Sequence, residues 1–212
     1  MKVDGFLKAI SLTLRIILLI AAAGAIINAE WMVLFVISIA VGLTFLPKLI
    51  ESRYRIDIPE EFEILITVFV YASLFLGEVH SYYTVFWWWD IVLHGASGLA
   101  LALTGFLILF MLYETKKIKA SPRGIAFFSF CFALAVGALW EIAEFTVDAT
   151  IGTSLKGYPM QPSLLDTMRD LIVDAVGALI VSVFGYFYLR GKKYLFNGMV
   201  KRFAKKNPRL FK

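Results

Sequence analysis

The chain has 212 residues, of which 60% are hydrophobic and only 17% charged, with a mean hydropathy of +0.78. That balance excludes an ordinary soluble domain and predicts an integral membrane protein. A net charge of +5 would suit a nucleic-acid partner, but the cations cluster in short loops beside apolar runs and in the tail; this is the positive-inside pattern of a membrane protein, and it excludes that partner.

Apolar runs at residues 6–28, 31–46, 62–77, 88–113, 124–150 and 165–189 predict an all-α, polytopic helical bundle with six transmembrane helices. Most are long enough to cross ~30 Å of hydrocarbon at ~1.5 Å per residue; the second and third are short and must run on into their flanks. The expected organisation is one transmembrane domain over 1–190 and a basic amphipathic tail over 191–212.

Lys2 and Lys8 precede the first run and Arg15 sits in its first half, where a long side chain is expected to snorkel to the nearer interface and hold the N-terminus inside. No small-residue cleavage pattern follows, and Trp31 opens another apolar run at once, so the first span is expected to be retained. Residues 28–30 form an outer turn. Lys48, Arg53 and Arg55 bring the chain back inside, and residues 47–63, with Pro59 and several acids, read as a polar interfacial loop.

The third span ends at Gly77, Glu78 and His80, followed by Tyr82, Tyr83, Phe86, Trp87, Trp88 and Trp89, an aromatic group suited to the outer interface. The fourth exits into Lys116, Lys117, Lys119 and Arg123, the strongest inner loop. The fifth leads to an outer loop at 152–165 carrying only Lys156. The sixth returns to Arg190, Lys192 and Lys193, and the tail to Lys212 intersperses Phe196, Phe203, Leu210 and Phe211, a pattern suited to an anionic inner leaflet. Both termini are thus expected in the cytoplasm of a cell that holds this protein as a multi-pass prokaryotic inner or plasma membrane protein. Cys131 is the only cysteine, so no intramolecular disulfide can form.

Against this apolar background, three segments carry ionisable residues at helical spacing. Glu141, Glu144 and Asp148 fall at i, i+3, i+7, Asp166, Asp170 and Asp174 at i, i+4, i+8, and Asp90 and His94 at i, i+4. Each set occupies one helix face. The topology puts all eight in the outer half of the membrane on three helices, and small residues permit close approach: Gly95, Ala96 and Gly98, Gly137 and Ala138, Ala175, Gly177 and Ala178. Ionisable groups at that depth face a protein interior or a wet cavity.

Seven carboxylates meet only Arg169 and His94, so either several acids are protonated or a cation is bound. Carboxylates suit Mg²⁺, Ca²⁺ or Mn²⁺, and a histidine extends the range to Zn²⁺ or Fe²⁺. The candidate metal ligands are Asp90, His94, Glu141 and Asp170. Glu144 or Asp174 is the candidate general base on a metal-polarised water, Gln161 and Arg169 are candidate substrate contacts, and Asp148, Asp166 and Glu78 complete the cluster. Local roles compete with these: Asp166 can cap the helix that follows Pro162 and Ser163, Arg169 can pair with Asp170 or Glu144, His94 can be a core histidine, and Trp140 and Phe145 can be packing residues.

Leu76-Gly77-Glu78, Tyr82-Tyr83, Trp88-Trp89-Asp90 with His94, Trp140-Glu141-Ile142-Ala143-Glu144-Phe145 with Asp148, Met160-Gln161, and Asp166-Thr167-Met168-Arg169-Asp170 with Asp174 and Gly177 together resemble the YjdF-like family of small membrane proteins, classed as a domain of unknown function. The similarity spans about residues 47–185. It implies a polytopic membrane fold and a shared polar site at the eight ionisable residues, and supplies no substrate. A more distant likeness is to VanZ-like membrane proteins. The spacing of Asp166, Asp170, Asp174 and Gly177 loosely resembles the acidic motif of alcohol phosphatidyltransferases, but the Asp-Gly-x2-Ala-Arg part is missing.

The leading expectation is a metal-dependent enzyme acting on a lipid or lipid-linked group among the membrane lipids that surround it. The alternatives are a cation- or proton-coupled transporter or channel, and a structural protein with a buried polar core. The inner halves of the last three spans offer only weak polar groups such as Thr104, Ser129 and Ser182, which disfavours a through-going path, and no G-x-S-x-G nucleophile motif occurs. On a Cys131→Ala background, single cysteines near Lys119 should label only from the inside and those in loop 152–165 only from the outside; outside labelling near Lys119 would refute this topology.

Overall fold

A computed structural model describes residues 2–152, 159–191 and 197–211. Lys156, Lys192, Lys193, Phe196, Lys212 and the middle of the outer loop lie outside them. The regular elements among the described residues are all helices, without a strand. Five helices are long and apolar enough to cross a membrane, and a bent pair makes six if it is one span. The contacts divide the described residues into two compact units, 2–89 and those from 90 on.

The first unit contains α1 (Lys2–Ile27), α2 (Trp31–Thr44), α3 (Leu46–Tyr54), α4 (Glu60–Val70, continuing as a π-helix over Tyr71–Val79) and the single turn α5 (Tyr82–Val85). α1 ends where Ala29 turns left-handed at φ 56° and the Glu30 N–H reaches back to the Ala25 carbonyl, a helix-closing arrangement. The second apolar run is short because α2 stops at Thr44. Pro47 lies in the first turn of α3, where its missing N–H costs nothing, and the two helices meet at 40°. Residues 47–54, read from sequence as part of a polar loop, are therefore helical; only 55–59 link α3 to α4. Glu60, Glu61 and Glu63 occupy the first turn of α4, where carboxylates meet the positive end of the helix dipole.

Leu18, Ile37, Ala40, Val70 and Phe75 form the apolar core of this unit. Beside it lies a polar core that the sequence reading placed differently. Arg15 does not snorkel outward: it is buried. Its guanidinium donates to the Thr44 hydroxyl at 3.2 Å and carbonyl at 2.6 Å and to Glu63 Oε1 at 2.9 Å, with the Phe45 ring 4.6 Å away. Ser11 and Thr67 hydrogen-bond one turn away. Pairing with Glu63 neutralises the charge internally, which removes the need to reach water. Toward its far end α4 widens into the π-helix, where the Trp89 indole N–H satisfies the Ala72 carbonyl at 3.2 Å and the Tyr83 ring packs where a side chain on Gly77 would stand.

The second unit holds α6 (Trp89–Glu114, from Asp90 on), α7 (Pro122–Ile151) and α8 (Leu164–Leu189), with the short α9 (Asn197–Lys206) in the tail. Ser121 caps α7 through the Gly124 N–H, and Ser163 caps α8 through that of Asp166, the preferred N-cap chemistry. His94 faces Asp174 near the starts of α6 and α8, and Phe110 faces Tyr188 near their ends, so the two run parallel. α7 is antiparallel to both, with Phe132 against Gly105 and Gly137 against Asp174. Outward faces carry exposed Leu139, Phe145, Leu179 and Phe127, the reverse of a soluble protein and the expected surface toward acyl chains.

Removing one partner of the Arg15–Glu63 pair leaves an uncompensated buried charge, which costs about 3–5 kcal/mol. Arg15→Met or Glu63→Gln alone should lower the melting temperature of the detergent-solubilised protein clearly, and the double variant should recover part of the loss. Additive losses in the double variant would show that the pair carries no coupling.

Candidate metal centre

α6, α7 and α8 each bring polar residues to the same end of the second unit, and the geometry centres on His94. This imidazole is buried, as are Glu141, Asp170 and Asp174. Nδ1 lies 3.3 Å from Asp174 Oδ2. On the other edge Nε2 stands 3.7 Å from both Asp90 Oδ1 and Glu141 Oε1. Ligand atoms of Asp90, His94 and Asp170 fall within 4.8 Å of one another.

A separation of 3.7 Å is too long for a hydrogen bond. It suits two donors on one ion, because atoms each about 2.1 Å from a metal stand roughly 3–4 Å apart. Two further features point the same way. Glu141 Oε1 and Asp170 Oδ1 are buried and have no hydrogen-bond partner, a costly state for a carboxylate oxygen unless something cationic completes it. The lining atoms are one imidazole nitrogen and carboxylate oxygens, a donor set that binds divalent ions.

Close helix approach makes this possible. A Cβ on Gly98 would stand 2.5 Å from the Asp174 carbonyl, one on Gly177 2.7 Å from the Gly95 carbonyl, and one on Gly137 would overlap the Asp174 carboxylate. Each glycine sits where a side chain would hold two helices apart. At ~1.5 Å per residue, Glu141 lies ~15 Å in from the end of α7 and Asp174 ~15 Å in from the start of α8, deeper than any helix cap.

The other sequence candidates of the second unit make the following contacts. Asp148, near the end of α7, accepts the Met160 and Gln161 backbone N–H groups at 2.9 and 2.8 Å, so it ties the loop to the helix. Gln161 Nε2 donates to both the Glu141 carbonyl and Glu141 Oε2 at 2.7 Å. Glu144 accepts the Trp140 indole N–H at 2.9 Å. Glu78 belongs to the π-helical segment of the first unit.

Three local expectations are corrected. Asp166 is not the cap of α8, because Ser163 fills that place; its carboxylate pairs with Arg169 instead. Arg169 consequently pairs with neither Asp170 nor Glu144. Trp140 and Phe145 are not core residues but 50% and 63% exposed. Ser97, overlooked in the sequence, shares its hydroxyl proton between the His94 carbonyl at 2.8 Å and Asp174 Oδ1 at 2.9 Å. Its signal was present, since Asp90, His94 and Ser97 continue one helix face at i, i+4, i+7.

Residues 10–191 match the family of predicted membrane proteins DUF2238, and the chain belongs to that family. An uncharacterized protein of Thermotoga maritima is 30% identical over 146 residues, covering 67% of this chain and 70% of that protein. No solved structure matches the chain. The likeness to VanZ-like proteins finds no support in these matches.

Gly98→Ala should destabilise the protein by about 1–3 kcal/mol, since backbone cannot yield to the added methyl. Gly24→Ala on α1, where a Cβ meets nothing, should be neutral or stabilising by about 0.5–1 kcal/mol. Melting curves of the two variants in detergent check the contrast; equal effects would deny the close packing at Asp174.

Proposed function

We propose that this member of the family binds a divalent metal ion through Asp90, His94 and Asp170, with Glu141 as a fourth ligand, and uses it as a Lewis acid on a lipid or lipid-linked group. The observation that carries the reading is the pair of buried, unpartnered carboxylate oxygens, Glu141 Oε1 and Asp170 Oδ1, beside the Asp90–His94–Asp170 group. The YjdF-like resemblance of the motifs is consistent with the family. We place the site in the outer half of a prokaryotic plasma membrane on the distribution of the loop charges.

Within this reading the remaining residues divide by their contacts. Glu144, partly exposed and held by Trp140 one turn from Glu141, is the better general base, because Asp174 has both oxygens engaged and is 1% exposed. Gln161 positions Glu141 through its carbonyl and Oε2. Arg169, beside Asp166, remains a candidate for a substrate phosphate or other anion.

A transport role is less well supported. Beyond the acids and His94, the buried residues described on α6, α7 and α8 are mostly apolar, among them Ala102, Leu103, Phe106, Leu107, Phe110, Ala178 and Val181, with Ser129, Ser182 and Tyr188 as the polar side chains. An ion or proton path would need polar groups through that half.

Protein purified without chelator should carry about one divalent ion per chain by elemental analysis. Chelator should lower its melting temperature, because an ion held at 100 times its Kd adds about 2.7 kcal/mol of stability. Asp90→Asn and Asp170→Asn should lose the metal and no longer respond to chelator. If chelator shifts nothing and both variants melt at or above the wild type, relief of like-charge repulsion explains the cluster and the metal reading is wrong.

A further inference from the structure

We infer that Asp174 and Ser97 are positioning residues that fix His94 as an Nε2 donor, so that the site takes a borderline transition ion such as Fe²⁺, Co²⁺ or Zn²⁺ in preference to Mg²⁺ or Ca²⁺. This rests on the metal reading above and names the ion class it left open.

Asp174 is the most buried of the acids, yet it does not face the ligand group. Oδ1 accepts from the Ser97 hydroxyl and Oδ2 lies against His94 Nδ1. All three helices make room for it, through Gly98 on α6, Gly137 on α7 and the α8 backbone that carries it. An ionised carboxylate accepts and cannot donate, so the proton between the two groups sits on Nδ1. The imidazole lone pair is then on Nε2, the nitrogen that faces Asp90 and Glu141. A carboxylate behind the histidine in this manner sets the tautomer, fixes the ring and raises the basicity of the ligating nitrogen.

Such an arrangement has little value for a hard ion. Mg²⁺ and Ca²⁺ prefer oxygen, and Asp90, Glu141 and Asp170 would serve them without an oriented imidazole. A nitrogen donor made more basic by a buried carboxylate favours the later divalent ions of the first transition row. Ser97 holds the second Asp174 oxygen and keeps the carboxylate plane facing the ring.

Cobalt(II) is the probe, because its visible absorption reports both binding and ligand geometry. Full-length protein in lipid nanodiscs should take up one Co²⁺ per chain, and tenfold higher Mg²⁺ or Ca²⁺ should not displace it. Asp174→Asn should weaken Co²⁺ about 10–100-fold and alter the absorption band. Ser97→Ala, which removes one hydroxyl and preserves volume, should weaken it by a smaller factor in the same direction and covers the case in which Asp174→Asn does not fold. Wild-type protein that binds no Co²⁺ would overturn the metal reading itself. Co²⁺ binding that Mg²⁺ or Ca²⁺ displaces at equal concentration, or that both variants retain with unchanged affinity and spectrum, would overturn this inference and leave the metal reading standing.

Discussion

Hydrocarbon offers no solvent to a charged side chain, so every ionisable residue within a span must be answered by another group of the protein, a bound ion or a proton. In the second unit this constraint converges on one contact, the Asp174 carboxylate against His94. The glycines at 98, 137 and 177 are placed so that three helices can close around it. With bulkier residues there, the helices would stand apart and the acids on α7 and α8 would each need a separate answer. Close packing and the polar group are therefore one feature: small side chains bring the backbones together, and the polar atoms have few alternatives to one another.

The two units answer the constraint in different ways. Arg15 in the first unit is matched by Glu63 and by both oxygens of Thr44, with Phe45 alongside. Its charge has an opposite partner, and the contacts account for the geometry without a ligand. Around His94 the balance is different, with four carboxylates about one imidazole and two buried oxygens without partners. Structural polar cores tend toward complete satisfaction. The metal proposal rests on that difference between the two polar groups.

The spans were legible because hydropathy and loop charge act over twenty residues and tolerate local error. The 3.6-residue period also placed Asp90, His94, Glu141, Asp170 and Asp174 on facing surfaces. Pairwise choices were not legible. Arg169 had acids at several helical offsets, and only rotamer and backbone position select Asp166. Arg15 was misread because its partner Glu63 lies 48 residues away on another helix, and no local pattern links them. The break at Phe45 and the helix of residues 46–54 were hidden by polarity, which lowers hydropathy without preventing a helix that begins on Pro47. Ser97 was missed because a serine three residues after a histidine is ordinary; its meaning comes from Asp174, 77 residues on.

Charge balance carries the argument one step further. Four carboxylates around a neutral His94 would amount to four negative charges in a small volume if all were ionised; protons on the acids, a proton on the imidazole or a bound cation each lower that sum. A divalent ion removes two and leaves Nε2 free to coordinate, whereas a protonated ring would spend that nitrogen as a donor. Protonating Nε2 would also place donor geometry 3.7 Å from its acceptors, beyond useful hydrogen-bond range. Under the metal proposal these separations are those of donors sharing one cation. The engagement of Nδ1 by Asp174 leaves Nε2 as the nitrogen through which that cation would be held.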